Sequence, residues 1–343
     1  MITIVYHTCL KFQYTTSCGV GKFRHNFTKN VAKKTEKTFD FIDFFEKMVY
    51  YTSNNGIVGR YLMKQNYTIC GKRILIESEL PLTEHENFSI FTVDEGDADI
   101  KITYHVGKNS PETPVNFKET STGALVSWEG DRVFRHTPMG TAEGALSCYK
   151  VSDTAQSEVY FTNQSYSVMS DFRYMWNSVS LSQLFLPFKI LLFHASYIST
   201  DGGAILFTAP CGTGKSTQAE LWRQFMGAEV INGDKAGVSV TEKGVFAHGL
   251  PFCGTSGICK NKSLPLKAIV LLSQAPENKI TRVMGISAIQ SLLGNIYLDF
   301  AAPGETQQCV DTLIDLLSKI PVYHLQCTPD EKAVKCLAEE LKK

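Results

Sequence analysis

The spacing of apolar residues separates a first part of the chain, rich in strand patterns, from a second part in which strands and helices alternate. Between residues 63 and 170, Ile100, Ile102 and Tyr104 alternate with polar neighbours, as in a half-buried strand. Glu129-Gly130-Asp131 is typical of a turn between two strands. These patterns predict a small antiparallel β-rich domain.

A helical pattern begins after residue 171, where Phe172, Met175, Trp176 and Val179 recur at helical spacing and further apolar residues follow to Phe193. This segment predicts a helix that faces the core. Strand and helix patterns then alternate to the end of the chain, which indicates an α/β domain with a parallel or mixed sheet. Near the end, Thr328-Pro329-Asp330-Glu331 has the form of a capping box, which predicts a last helix with the proline at its first position.

These patterns divide the chain into segments. Residues 63–180 are predicted to form the smaller N-terminal β-rich domain with its linking helix, and residues 181–343 to form the α/β domain. Residues 1–62 are an N-terminal extension, because the ordered strand pattern begins abruptly at Met63. Two interpretations of the extension stay open: a genuine N-terminal arm, or a start placed too early, with Met63 as the initiator.

Composition narrows the class of protein. Hydrophobic residues make up 43% and charged residues 20%, which is typical of a globular chain. The 34 basic and 34 acidic residues cancel, which argues against a dedicated nucleic-acid binder. The apolar stretch Leu184–Phe193 is shorter than the roughly 20 residues of a membrane-spanning helix, and the N-terminus lacks the pattern of a signal peptide. We therefore expect a cytoplasmic protein that binds neither membranes nor nucleic acid, and a homo-oligomer is compatible with the sequence.

A glycine-rich loop carries the strongest chemical signal. The apolar run Ala204–Thr208 predicts a buried strand, and an amphipathic helix pattern follows the loop. The sequence between them is Ala209-Pro210-Cys211-Gly212-Thr213-Gly214-Lys215-Ser216-Thr217, here called the P-loop. Strand, glycine loop, Lys-Ser and helix are the context that a Walker A phosphate-binding motif requires. The alternative is a chance glycine-rich turn.

The residue types of the P-loop suit a phosphate. Gly212 and Gly214 allow backbone N–H groups to turn inward, and the helix N-terminus adds its positive dipole. Lys215 brings a charge to the β- and γ-phosphates of ATP or GTP, and the Ser216 hydroxyl can bind Mg²⁺. Ala209 stands at the first glycine of the usual motif, which is tolerable if its φ stays negative. The predicted nucleotide-binding residues are Gly212, Thr213, Gly214, Lys215, Ser216 and Thr217.

A carboxylate and a histidine are predicted near the P-loop. Glu229–Asn232 has the pattern of the next strand, and Asp234 follows its end. A carboxylate there can bind Mg²⁺ or accept a proton from an attacking hydroxyl, and the alternative is a plain turn residue. His194 closes the apolar run before the P-loop strand. It either tunes the protonation of a catalytic carboxylate or has only a structural role.

The segment Gly249–Lys262 is long, rich in glycine and ends with Lys260 and Lys262. It either folds over the nucleotide or acceptor, with lysine neutralising the transferred charge, or is a solvated loop. Arg282, on a later strand pattern, either faces the phosphates or lies exposed. An open loop, and strands that an extended chain can join, fit a peptide or small-protein acceptor.

From about Phe193 to about Gln290 the sequence resembles the C-terminal catalytic domain of HPr kinase/phosphorylase and, more distantly, ATP-dependent phosphoenolpyruvate carboxykinase. The resemblance rests on Phe193-His194-Ala195, on Cys211–Thr217 and on Ile231-Asn232-Gly233-Asp234. In particular, the chain resembles HPr-kinase-like proteins encoded beside peptide-modification genes. The resemblance implies an α/β fold that contains a P-loop kinase domain of the HPr kinase / phosphoenolpyruvate carboxykinase type.

The resemblance also implies roles for individual residues. Lys215, Ser216 and Thr217 would hold nucleotide and metal. Asp234 would be the catalytic base or the metal carboxylate, and His194 would be its partner. The predicted catalytic residues are thus Asp234, His194 and Lys215, and the predicted metal ligands are Ser216 and Asp234.

The chain departs from these families in informative ways. Their Asp-Asp pair is Asp234-Lys235 here, and Cys211 stands where serine is usual. The Glu-x-Arg-Gly signature of HPr kinase/phosphorylase is missing, and His248-Gly249 stands in that region. Neither HPr as the substrate nor phosphorylase or carboxykinase activity therefore carries over.

The sequence favours an ATP-dependent kinase that uses Mg²⁺ and phosphorylates a serine or threonine hydroxyl on a small protein or peptide. Two alternatives stay open. One is a nucleotide-binding module without transfer activity that holds or reports on a peptide partner. The other is a kinase for a small metabolite.

Overall fold

The structure, a computed structural model, describes residues 63–78, 85–107, 109–120, 122–139, 142–161 and 176–343, together with short strands before residue 58. Contacts divide the chain into two compact units, Met1–Tyr61 and Leu62–Lys343. In the first unit the antiparallel pairs are β1 (Ile2–Tyr6) with β2 (Leu10–Tyr14), and β3 (Thr52–Ser53) with β4 (Gly56–Ile57). The predicted boundary at residue 180 stays a prediction.

The second unit begins with an eight-stranded sheet, in the order β5-β6-β7-β12-β11-β10-β9-β8. Its strands are β5 (Met63–Ile69), β6 (Lys72–Ser78), β7 (Ile100–Val106), β8 (Lys118–Glu119), β9 (Leu125–Glu129), β10 (Arg132–Met139), β11 (Ala142–Lys150) and β12 (Asp153–Phe161). A short helix, α1 (Glu86–Ser89), lies between β6 and β7. The prediction of an antiparallel sheet was wrong at β7, which runs parallel to both β6 and β12. Long crossovers rather than hairpins join these pairs, and a crossover permits the parallel arrangement.

The second sheet has the order β14-β13-β16-β17-β18-β20-β19, with β15 paired to β13. Its strands are β13 (Ile190–Thr200), β14 (Gly203–Thr208), β15 (Glu229–Asn232), β16 (Lys235–Thr241), β17 (Gly244–Gly249), β18 (Ser263–Gln274), β19 (Lys279–Val283) and β20 (Val322–Cys327). β14 also pairs in parallel with β18, so the pairings through β13, β16 and β17 close into a ring.

Helices accompany this second sheet. They are α2 (Leu181–Phe185), α3 (Lys215–Met226), α4 (Gly285–Leu293), α5 (Glu305–Leu317) and α6 (Glu331–Glu340), with 3₁₀ turns at Leu186–Phe188 and Gly254–Ser256. The chain is therefore a mixed α/β protein with two many-stranded sheets. Within the residues that the structure describes, no helix is both long and apolar enough to cross a membrane.

The helix predicted to run toward Phe193 ends earlier. α2 stops at Phe185, a 3₁₀ turn follows, and Lys189 adopts a left-handed φ of 54°. Pro187 lies in that turn, and a proline has no backbone N–H with which to continue an α-helix. Residues 190–193 belong to β13 instead and are buried. The apolar run is thus a strand of the second sheet.

The last helix is capped two residues later than predicted. The carboxylate of Asp330, not the hydroxyl of Thr328, accepts the hydrogen bond from the backbone N of Ala333, at 3.2 Å. The hydroxyl of Thr328 donates to Asp330 at 2.9 Å. Asp330 is the N-cap and α6 begins at Glu331, so Pro329 lies before the helix rather than in its first turn.

Burial fixes α3 against the sheet. Trp222 packs in one core cluster with Ile205 and Phe207 of β14 and with Val334 of α6. A fully buried aliphatic side chain of this kind contributes about 1.5–3 kcal/mol. α3 ends at Gly227, whose φ of 65° suits the left-handed cap of a helix C-terminus. This packing holds the N-terminus of α3 at the carboxyl end of β14, and a helix N-terminus is a favourable position for an anion.

Candidate phosphate-binding site

The P-loop joins the end of β14 to the start of α3. Gly212 and Gly214 have φ angles of 79° and 115°, a left-handed conformation that residues with side chains rarely adopt. Gly214 is the N-cap of α3, and its carbonyl oxygen accepts the first helical hydrogen bond, from the backbone N of Gln218 at 2.9 Å. Ala209 is buried and its φ is not positive, so the alanine fits where the usual motif has glycine.

Lys215 begins α3 with its side chain folded back over the P-loop. Its ammonium donates to the carbonyl oxygens of Ala209 at 2.9 Å and Pro210 at 3.2 Å. Burial lowers the pKa of Lys215, and the charges of Cys211 and Asp234 oppose this shift. An ammonium held only by carbonyl oxygens can exchange them for phosphate oxygens, which make stronger, charge-assisted hydrogen bonds.

One buried side chain shapes the turn after β15. The Oδ1 atom of Asn232 accepts hydrogen bonds from the backbone N atoms of Asp234 and Lys235, both at 2.9 Å. Its Nδ2 atom donates to the carbonyl oxygens of Leu250 at 3.0 Å and Phe252 at 2.8 Å. Asn232 is fully buried, so this amide ties the turn to the following loop.

The same turn touches the P-loop helix. The carbonyl oxygen of Gly233 accepts from the hydroxyl of Ser216 at 3.4 Å and from the hydroxyl of Ser196 at 2.8 Å. Gly233 immediately precedes Asp234, so the structure brings the predicted residues Ser216, Lys215 and Asp234 together. Gly212, Thr213, Gly214 and Thr217 lie with them because they are part of the same loop and helix start.

The carboxylate of Asp234 lies between two side chains. The Nε2 atom of His194 lies 3.3 Å from Oδ1, and the ammonium of Lys235 contacts Oδ2. Burial lowers the pKa of His194, Lys215 acts in the same direction and Asp234 opposes them. A neutral imidazole with its proton on Nε2 donates to the carboxylate. His194 and Asp234 are thus neighbours, as the resemblance implied, and their catalytic roles stay predictions.

Lys235 and Tyr297 belong to this cluster although the sequence did not assign them to the site. The ammonium of Lys235 lies 5.0 Å from the centre of the Tyr297 ring. Burial alone would lower the pKa of Lys235, but Asp234 and Tyr297 hold it above its ordinary value. Tyr297 reaches the site because its backbone N donates to the carbonyl oxygen of Leu192 on β13, at 2.8 Å.

Part of the Gly249–Lys262 segment lies against the Asp234 turn. A Cβ atom built on Gly254 would lie 2.8 Å from the Asp234 side chain, and one on Gly233 would lie 2.7 Å from Cβ of Ser256. Residues 254–256 are themselves exposed. The segment therefore borders the carboxylate on one side and solvent on the other.

The cationic residues predicted downstream do not reach the site. Lys260 and Lys262 form ion pairs with Glu229, at 2.7 and 2.6 Å. Glu229 begins β15, at the end of that strand away from Asp234. Arg282 is exposed on β19, at the outer edge of the sheet beyond β18 and β20. The structure therefore gives these lysines and the arginine no contact with the P-loop.

The predicted magnesium ligands can be tested against this geometry. Both oxygens of Asp234 already have protein partners, and the hydroxyl of Ser216 points to the carbonyl of Gly233. Among the described residues, no group of three or more His, Cys, Asp and Glu side chains could hold a metal ion. The assignment of Ser216 and Asp234 as Mg²⁺ ligands therefore stays a prediction, and Lys235 would have to leave Oδ2 for Asp234 to bind the ion through that oxygen.

Comparison with known proteins adds a partial match. Residues 174–332 match the family model described as SynChlorMet cassette protein ScmC. This region contains the P-loop, Asp234 and Tyr297, and it spans less than half of the chain. No curated protein matched the chain. Among solved structures, HPr(Ser) kinase/phosphatase from Coxiella burnetii is similar, with 10% sequence identity over 44% of this chain and 95% of that chain. The TM-score is 0.26, too low to establish a shared fold.

Proposed function

We propose that this chain is a nucleotide-dependent kinase of the P-loop type, in which the γ-phosphoryl group of ATP or GTP passes to a hydroxyl on a peptide or small protein. The observation that carries the proposal is the contact between the Ser216 hydroxyl and the Gly233 carbonyl, which sets the Asp234 carboxylate beside a phosphate-binding loop. Phosphoryl transfer depends mainly on positioning and on charge stabilisation, so these are the elements it needs.

In the proposed step, Asp234 accepts the proton of the acceptor hydroxyl. The hydroxyl oxygen forms a bond to the γ-phosphorus, the bond from that phosphorus to the β–γ bridging oxygen breaks, and the nucleoside diphosphate leaves. Lys215 neutralises charge on the β- and γ-phosphates. His194 holds the Asp234 carboxylate through its Oδ1 atom.

Two features support a peptide or small-protein acceptor: exposed residues next to Asp234 and an open edge of the first sheet. Residues 254–256 beside Asp234 are exposed, so a large acceptor can approach. In the first sheet β8 pairs with only Leu125 and Val126 of β9. The remainder of the β9 edge has no strand partner within the described residues, and an extended peptide can add to such an edge by backbone hydrogen bonding.

A second candidate function is favoured by one observation. Lys235 and His194 engage both oxygens of Asp234, so neither oxygen is turned toward an acceptor hydroxyl in this structure. On this alternative the chain binds nucleotide and holds a peptide partner without transferring phosphate.

One experiment separates these proposals. The chain is incubated with γ-labelled ATP or GTP and either peptides encoded beside its gene or small hydroxyl metabolites. Label on a peptide supports the proposed kinase. Binding of nucleotide without label on any acceptor, and without nucleotide turnover, supports the non-catalytic module. Label on a free metabolite alone supports a metabolite kinase, and absence of binding of both ATP and GTP contradicts all of these functions.

A further inference from the structure

Two lysines lie near Asp234. Lys215 begins α3 beside Ser216, whose hydroxyl contacts the carbonyl oxygen of Gly233, the residue before Asp234. Lys235 contacts the carboxylate directly. With His194 neutral, the cluster contains two positive charges and one negative charge before any ligand arrives. A site with an excess of positive charge attracts a polyphosphate.

The lysine at position 235 changes what the site can bind. A carboxylate is the usual protein ligand of Mg²⁺ in nucleotide sites, and here the ammonium of Lys235 occupies it. In the sequence, Asp234 follows Gly233 and precedes Lys235, so neither adjacent residue is acidic. A positive charge is therefore already present at the carboxylate before a nucleotide binds.

A hydrogen bond and strand pairing hold the backbone of Lys235. Its N atom donates to Asn232, and its Cα is in register with His194 in the β13–β16 pairing. The side chain is long, unbranched and partly exposed, and Asp234 and the face of Tyr297 hold its ammonium. An ammonium can leave a carboxylate for a phosphate without losing a charged partner.

The Asp234 turn relates Lys235 to the P-loop. The hydroxyl of Ser216, at the start of α3, donates to the carbonyl oxygen of Gly233 at 3.4 Å. Lys235 follows Gly233 by two residues on the same turn, and Asn232 holds its backbone N at 2.9 Å. The turn that carries Lys235 therefore lies against the residues that would bind the phosphates.

We propose that Lys235 is a second phosphate-binding residue of the nucleotide site, and that its ammonium takes the charge-neutralising place of Mg²⁺. The inference rests on the proposed nucleotide site and identifies the side chain that neutralises the charge of the triphosphate there. When Lys235 moves to the phosphate, Asp234 loses its cationic partner, and its Oδ2 atom becomes free to accept a proton.

The test measures binding of the non-hydrolysable ATP analogue adenylyl imidodiphosphate by calorimetry, in EDTA and in Mg²⁺. The wild-type dissociation constants in the two buffers are expected to differ by less than about tenfold, which is less than the loss of one hydrogen bond to a charged group. Lys235→Met should weaken binding in EDTA by about tenfold or more, and Lys235→Arg should retain it.

Two further variants sharpen the test. Lys235→Asp creates an acidic pair beside Asp234, so its binding should be strong in Mg²⁺ and lost in EDTA. Lys243→Met, on the exposed turn between β16 and β17, is the matched control and should bind as the wild type does. Melting temperatures without ligand show whether each variant is folded.

The outcomes distinguish this inference from the function on which it rests. Wild-type binding that is tenfold or more weaker in EDTA, or a Lys235→Met variant that binds as tightly as the wild type in EDTA, overturns the role of Lys235 and leaves the nucleotide site standing. If the wild-type protein binds neither this analogue nor guanylyl imidodiphosphate in either buffer, the nucleotide site itself is overturned.

Discussion

The backbone of Gly254 lies directly against the side chain of Asp234. A Cβ atom at Gly254 would lie 2.8 Å from both Cβ and Cγ of Asp234, well inside the usual separation of about 3.5–4.0 Å between packed carbon atoms. Gly254 also has a φ of 54°, which glycine adopts without steric cost. The segment between β17 and β18 therefore touches the carboxylate that we propose as the base.

We expect Gly254→Ala to separate this segment from Asp234 and to lower phosphoryl transfer. Gly257→Ala is the matched control, because Gly257 has a φ of 64° and a Cβ there would meet nothing within 4 Å. Both variants should lose about 1–2 kcal/mol of stability from the left-handed backbone. Urea unfolding and transfer assays test the pair, and equal transfer rates would show that the contact with Asp234 is irrelevant.

Lys215→Met should abolish nucleotide-dependent stabilisation. A ligand at 100 times its dissociation constant stabilises the folded state by about 2.7 kcal/mol, which is a measurable rise in melting temperature. The variant loses the ammonium that the P-loop holds on the carbonyls of Ala209 and Pro210. Lys243→Met should keep the full rise. If both Lys215→Met and Lys243→Met lose the nucleotide-dependent rise in melting temperature, or if neither does, a specific role for Lys215 is contradicted.

The P-loop was predictable because its strand, glycines and helix start follow one another in sequence. The strand Glu229–Asn232 was predictable from its own apolar pattern. The proximity of His194 to Asp234 was predicted only from the resemblance, because no local sequence pattern indicates a contact between β13 and the end of β15.

Other features depend on contacts that no local pattern contains. Tyr297 joins the site through a backbone hydrogen bond to β13, and the parallel pairing of β7 follows from crossovers between distant strands. Lys260 and Lys262 resembled phosphate-binding residues, but Glu229 holds them elsewhere. At the last helix, Thr328 and Asp330 are both residue types that cap helices. In the structure Asp330 accepts from the backbone N of Ala333, and the hydroxyl of Thr328 donates to Asp330 instead.

Asp234→Asn should retain nucleotide binding and lose about 10²–10⁴-fold in transfer, the usual contribution of a general base. The two side chains are nearly the same size, so the turn held by Asn232 should persist. Asp201→Asn, on the exposed turn between β13 and β14, is the control. Binding is measured by calorimetry and transfer with labelled ATP. Full transfer by Asp234→Asn would remove Asp234 from the mechanism.

His248 is a buried histidine whose titration affects stability rather than chemistry. It is 6% exposed, and its ring nitrogens each lie 2.8 Å from a serine hydroxyl, of Ser239 and of Ser263. Burial lowers the pKa of His248 to about 4. In the unfolded chain its pKa is near 6.5, so below that pH the unfolded state binds a proton that the folded state excludes.

This difference predicts a loss of stability as the pH falls from about 6.5 toward 4, and none above 6.5. Between pH 7.5 and pH 5 the contribution of His248 to the free energy of unfolding should fall by about 2 kcal/mol. His248→Gln can still hydrogen-bond both serines and does not titrate. Over the same pH range its free energy of unfolding should therefore fall by about 2 kcal/mol less than that of the wild type. Urea unfolding at pH 7.5, 6 and 5 measures both proteins, and subtraction removes the titration of all other groups. Parallel curves for wild type and variant would mean that His248 titrates alike in the folded and unfolded chains.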